Sequence, residues 1–206
     1  MAIDTRAERE RLVRRGQWLQ GATIAWNSAE FVIAVGAGLL AGSVALVGFG
    51  VDSAIEVASG LAAVWRLRRD RDACAREAAE RRTLRLIGVC FLLLAAWVAW
   101  EGAAALLRRD APDHSPTGIV LAALSLIAMP LLARLKRGVA VGLASGALEA
   151  ERRQTAVCAA LSTILLAGLG LNAALGWWWA DPAAGLLMTP IIAREGWEAV
   201  RGRTCC

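Results

Sequence analysis

The chain has no tyrosine, one histidine, three phenylalanines and five prolines in 206 residues. With His114 alone, in a stretch of turn residues between apolar runs, an imidazole proton relay inside a membrane is excluded. No histidine or other base stands beside a candidate nucleophilic serine, which disfavours an intramembrane hydrolase, and no enzymatic activity is expected. The cysteines, Cys74, Cys90, Cys158, Cys205 and Cys206, are odd in number and scattered, so a disulfide framework is not expected. Facing a reducing cytoplasm they would remain free thiols. A cleavable leader is not expected either, since the first sixteen residues are highly charged and no small-residue cleavage site follows the first apolar run.

What is present is apolar. Hydrophobic residues make up 57% of the chain, nine of them tryptophan, and the mean hydropathy is +0.50. Such a composition suits an integral membrane protein rather than a soluble domain. Six apolar segments stand out, at about 17–42, 44–66, 84–107, 117–135, 148–175 and 183–200, each near the ~20 residues that a spanning helix needs. The links carry glycine, proline and asparagine-like turn formers, and the first, around Gly42 and Ser43, forces a tight antiparallel hairpin. The expected architecture is all-α, with six transmembrane helices over 17–200, a polar lead at 1–16, a short tail at 201–206 and no soluble C-terminal domain. Charges of both signs at helical spacing in the second link, DRDACAREAAERR, predict that helices two and three run on as solvated ends.

The net charge of +5 taken alone would admit nucleic acid as a partner, but its placement points to a membrane. Of the 23 basic residues, 21 fall on one side of the six-span arrangement and only Arg108 and Arg109 on the other. The positive-inside rule then places both termini in the cytoplasm of a cell (inner) membrane protein.

The second segment contains two carboxylates, Asp52 and Glu56, one helical turn apart and therefore on one face. Counted from Val44 they lie about 12 and 18 Å deep, bracketing the middle of a ~30 Å core. Each bare charge there costs at least about 2.5–3.5 kcal/mol, which a divalent cation would offset. On the fifth segment, Gln154 and Cys158 show the same spacing at about 9 and 15 Å from the opposite surface. Carboxylate and thiolate ligands suit zinc, and the thiolate also suits softer ions such as cadmium. A carboxylate pair hydrogen-bonded between helices is the alternative reading of Asp52 and Glu56.

With these residues in place the sequence resembles the cation diffusion facilitators, across WNSAE, GSVALVGFGVDSAIEVASG, SGALEAERRQTAVCAALS and GWWWADPAAG. The resemblance implies a six-helix exporter of zinc or a related divalent ion that works by alternating access, exchanges its cargo for protons and forms a homodimer. It carries the metal-binding role over to Asp52 and Glu56. In the fifth helix the family commonly has His and Asp where this chain has Gln154 and Cys158, and the family's usual cytoplasmic metal-binding domain is replaced by RGRTCC. No prosthetic group is implied; the metal is cargo. An acidic-site transporter of organic cations, or a non-transporting scaffold or metal sensor, would share the acidic pair.

Several lesser features admit two readings each. Asn27 and Glu30 share a face of the first helix and suit either an outer-shell or entry site or a polar helix contact. Glu101 and Asp181, near the outer surface, could gather cations at the exit, or be solvated or cap a helix. Glu149 and Glu151 could lie on the entry path or pair with Arg152 and Arg153. Trp97, Trp100 and Trp177 to Trp179 read as an aromatic belt, and Gly38 with Gly42 as a surface for close helix packing or dimerisation. Cys74, Cys205 and Cys206 could capture soft ions.

Overall fold

The computed structural model describes residues 5–68, 73–143 and 146–201. These residues form α1 (Thr5–Ala41), α2 (Val44–Arg68), α3 (Ala73–Arg108), α4 (Pro116–Leu143), α5 (Gly146–Leu175) and α6 (Ala180–Val200), and among them there is no strand. The tail cysteines Cys205 and Cys206, and the side chains of Cys74, Glu149 and Glu151, lie outside the described residues.

Five helices, all but α6, are long and apolar enough to cross a membrane. α6 carries Arg194, Glu195 and Glu198 in its second half. It nevertheless lies antiparallel along α3, because Gly102 abuts the Pro182 carbonyl and Leu186 while Gly88 abuts the Gly196 carbonyl and Val200. Fourteen residues separate the two contacts on either helix, so α6 follows α3 for about 21 Å. The protein is an all-α membrane protein, with six helices among the described residues. Its outer surface is apolar, with Trp18, Val32, Leu40, Leu86, Leu107 and Ile127 all exposed, the reverse of a water-soluble bundle.

One end of the bundle is defined by its turns. Gly42 adopts φ 65°, and the Ser43 N–H returns to the Gly38 carbonyl at 2.9 Å, closing α1 with a glycine cap. Ser43 then caps α2, its hydroxyl accepting from the Leu46 N–H at 3.1 Å. Arg109 ends α3 at φ 59° with the Asp110 N–H on the Ala105 carbonyl, and Ser115 caps α4 just before Pro116. Cross-ties hold these turns together: Asp113 N–H to the Ala41 carbonyl (2.8 Å) and Asn172 Nδ2 to the Pro112 carbonyl (3.1 Å). Trp177 stacks on Trp179 at this end, whereas Trp18 and Trp197 stand exposed near the other, so tryptophan marks both surfaces. His114 is exposed in the α3–α4 loop, as the sequence predicts.

Helix α4 departs from its predicted limits. It continues past residue 135 to Leu143, because Ala133, Lys136, Val139 and Ala140 keep a buried face at helical spacing and no proline intervenes. The link expected over 136–147 is accordingly helix on both flanks, and Lys136, one of the 21 basic residues that the sequence places on one side, is 2% exposed. α1 likewise begins at Thr5, inside the polar lead.

Gly38 packs within the chain: a Cβ there would stand 2.8 Å from the Val47 backbone nitrogen. It therefore serves the α1–α2 crossing rather than a face left free for a second copy. The same logic at α3–α6 makes a prediction. Gly88→Ala, whose new carbon would lie 2.7 Å from the Gly196 carbonyl, should destabilise the protein by about 1–3 kcal/mol in detergent unfolding experiments. Gly36→Ala, with nothing within 4 Å, should be neutral or slightly stabilising.

Candidate metal site

Asp52 and Glu56 project from α2 and Cys158 from α5, and all three are buried, at 3%, 8% and 0% exposure. One ligand atom from each lies within 4.8 Å of the others. A tetrahedral zinc ion with Zn–O and Zn–S bonds of about 2.0–2.3 Å sets its ligands roughly 3.3–3.8 Å apart. Contraction by about 1 Å, within the range of side-chain torsions, would bring the three onto one ion.

The fourth sequence candidate, Gln154, is half-buried one turn from Cys158, where its amide oxygen accepts from the Ser59 hydroxyl at 3.5 Å. With Gln20, Thr23, Ile24, Asn27, Glu56 and Thr155 it lines a narrow opening of about 10 Å³, room for roughly one water, that reaches Glu56 from the end of the bundle bearing the basic residues. On the far side of the triad, Leu46, Phe49, Leu121, Leu161 and Leu165 are all buried. Lys136 flanks the opening, its ammonium donating to the Thr155 hydroxyl at 3.2 Å.

Polar groups from neighbouring helices surround the triad. Asn27 Nδ2 donates to Glu56 Oε2 at 2.5 Å. Glu30, one turn further along α1, accepts from the Ser53 hydroxyl at 2.7 Å and from the Ser125 hydroxyl, and the Cys158 thiol lies 3.9 Å from its Oε2. Trp26 Nε1 donates to Ser125 in turn (3.3 Å). Two oxygens in this region, Asp52 Oδ2 and Asn27 Oδ1, are buried with no hydrogen-bond partner. A buried acceptor without a donor is costly, and a cation removes that cost at several such atoms together.

Asp181 has a different place. It is 1% exposed and accepts the Ser43 hydroxyl proton at 2.6 Å, which puts its carboxylate beside the first turn of α2. Of the readings open to it, the structure gives it the capping one, without solvent. Glu101 is half-buried.

The i,i+3 spacing singles out Asn27 and Glu30, and both are at the site. Ser53 adjoins Asp52 in the sequence and could have been found by reading one residue further. Ser125 and Lys136 carried no signal, since a lone serine in an apolar helix or a lysine after one has no spacing partner.

An all-α bundle with two carboxylates and a thiol gathered at its centre is an arrangement that could hold a metal ion. The model of the cation efflux transmembrane domain matches residues 22–202, and the chain belongs to the cation efflux family. Comparison with individually curated proteins gives no match.

Because Ser43 both caps α2 and binds Asp181, Ser43→Ala should cost about 2 kcal/mol of stability, read as a lowered unfolding midpoint. Asp181→Asn, which keeps an acceptor for the hydroxyl, should cost less than Asp181→Ala.

Proposed function

We propose that this cation efflux protein exports a divalent transition metal, zinc foremost and cadmium as the softer alternative, with Asp52, Glu56 and Cys158 as ligands and Gln154 completing the shell or receiving the ion on its approach. The convergence of those three ligand atoms within 4.8 Å carries the reading, because two carboxylates and a thiol brought that close on buried helix faces suit a dehydrated divalent ion. The thiolate adds a preference for borderline and soft metals over magnesium or calcium.

The opening lined by Gln20, Thr23, Asn27 and Gln154 supports an inward-facing state, given both termini in the cytoplasm of an inner-membrane protein. The apolar layer of Leu46, Phe49, Leu161 and Leu165 then forms the closed outer side. In the export cycle, rocking of the helices would close the first and open the second around the bound ion. Protons are the proposed counter-ion, since they compete with the metal for the same carboxylate and thiolate atoms. The family resemblance supports a homodimer.

Asp52→Ala should reduce zinc flux into proteoliposomes to background while the protein stays folded and monodisperse. Unchanged flux in that variant would sink the proposal. Cys158→Ser should lower cadmium transport relative to zinc by roughly tenfold, the sulfur being the soft ligand. An organic-cation transporter would be indifferent to that change, and a scaffold or sensor would show no flux at all.

A further inference from the structure

Glu30 is more constrained than helix packing requires. It sits on α1 and is 1% exposed, yet it accepts hydroxyl protons from Ser53 of α2 and Ser125 of α4 and has the Cys158 thiol of α5 at 3.9 Å. The two serines would suffice to satisfy a carboxylate that merely joins helices. The third neighbour is the sulfur of the candidate metal site, and Asp52, which interacts electrostatically with Glu30, has a buried Oδ2 that no donor reaches. With both ionised, Glu30 and Asp52 are acceptors only, so without a proton or a cation neither satisfies the other. A cation between them would satisfy both.

Asn27 and Glu30 also divide the site along the membrane normal. Asn27 holds Glu56 on the side of the opening, whereas Glu30, three residues on and about 4.5 Å further from it, is walled in. Cys158 belongs to both groups, within 4.8 Å of Asp52 and Glu56 and 3.9 Å from Glu30.

We propose that Glu30 is a further ligand of the cargo ion, forming with Asp52 and Cys158 a second station on the closed side of the Asp52, Glu56 and Cys158 triad. The inference rests on the reading of that triad as the cargo site. An ion moving between the stations exchanges Glu56 for Glu30 while Asp52 and Cys158 stay bound, so it is never stripped of most of its shell at once. Ser53 and Ser125 are positioning residues that aim the Glu30 carboxylate. The station takes a divalent ion that accepts two oxygens and a sulfur, which describes zinc and its neighbours.

The test uses the full chain in detergent and cobalt(II), a spectroscopic substitute for zinc. Glu30→Gln is expected to keep the sulfur-to-cobalt charge-transfer band given by Cys158, to shift the d–d bands, and to weaken zinc binding in calorimetry by at least about tenfold. Unchanged d–d bands with intact binding would show that Glu30 only holds helices together, and would overturn the proposal. Should Glu30→Gln not remain folded, Glu30→Asp, which keeps the charge but shortens the reach, is read in the same way. Failure of the underlying triad has its own signature: zinc binding that survives Asp52→Ala and a charge-transfer band that survives Cys158→Ser. If those two variants lose binding and band while Glu30→Gln changes neither, the triad stands and the second station does not.

Discussion

The low dielectric of the bilayer core is the constraint from which this molecule is built. Every charge placed there must meet a donor or a counter-ion, since water is absent to supply either. The protein nonetheless buries Glu30, Asp52, Glu56 and Cys158 together, and it arranges the neutral donors Asn27, Ser53 and Ser125 around them. Those donors satisfy Glu30 and hold Glu56 but leave Asp52 Oδ2 and Asn27 Oδ1 without partners. A purely structural cluster would gain by closing that deficit with one more serine or with an apolar substitution. The deficit persists at the place where a cation would remove it.

Placing those groups depends on the far end of the bundle. The glycine cap at Gly42, the Ser43 N-cap and the Asp181 carboxylate fix where α2 begins and which helix it begins against. Asp52 follows Val44 by eight residues and so inherits its depth from that anchor, about 12 Å along the axis. Close glycine contacts at Gly38 and Gly50 then set the distance of α2 from α1, which brings Glu56 within reach of Asn27. Small residues at crossings and polar residues at centres are the two means by which helices associate where hydrophobic driving force is absent. Here the same crossings that pack the helices also set the geometry of the ion site.

The fold was legible because its signals are long and local. Runs of about 20 apolar residues mark helices α1 to α5, and the glycine, proline and serine between them mark the turns. The end of α4 was not legible, because KRGVAVGL reads as a basic link unless one knows that Lys136 faces Thr155 of another helix. Site residues divide along the same line. Asp52 with Glu56, and Asn27 with Glu30, announce themselves by spacing on one helix. Ser125 does not, since its meaning lies in contact with a carboxylate 95 positions away. Asp181 was legible as a capping residue, but its partner was not, since its contact with Ser43, which takes it out of water, spans 138 positions.

On the proposed ligand assignment, ion choice would follow from which helix supplies which atom. α2 contributes only oxygen, which any divalent cation accepts, so the pair Asp52 and Glu56 can enforce charge but little else. Cys158 introduces the soft donor and lies at 0% exposure, out of reach of solvent and oxidant alike. Gln154, a neutral amide, holds cations weakly, and its position in the wall of the opening suits an approach better than a tight binding site. Set against the His and Asp that the family resemblance implies there, Gln154 and Cys158 put an amide and a thiol on α5 in place of an imidazole and a carboxylate. On the role proposed for Glu30, a carboxylate from α1 beside Cys158 would add negative charge to the site and would couple the ion to a third helix.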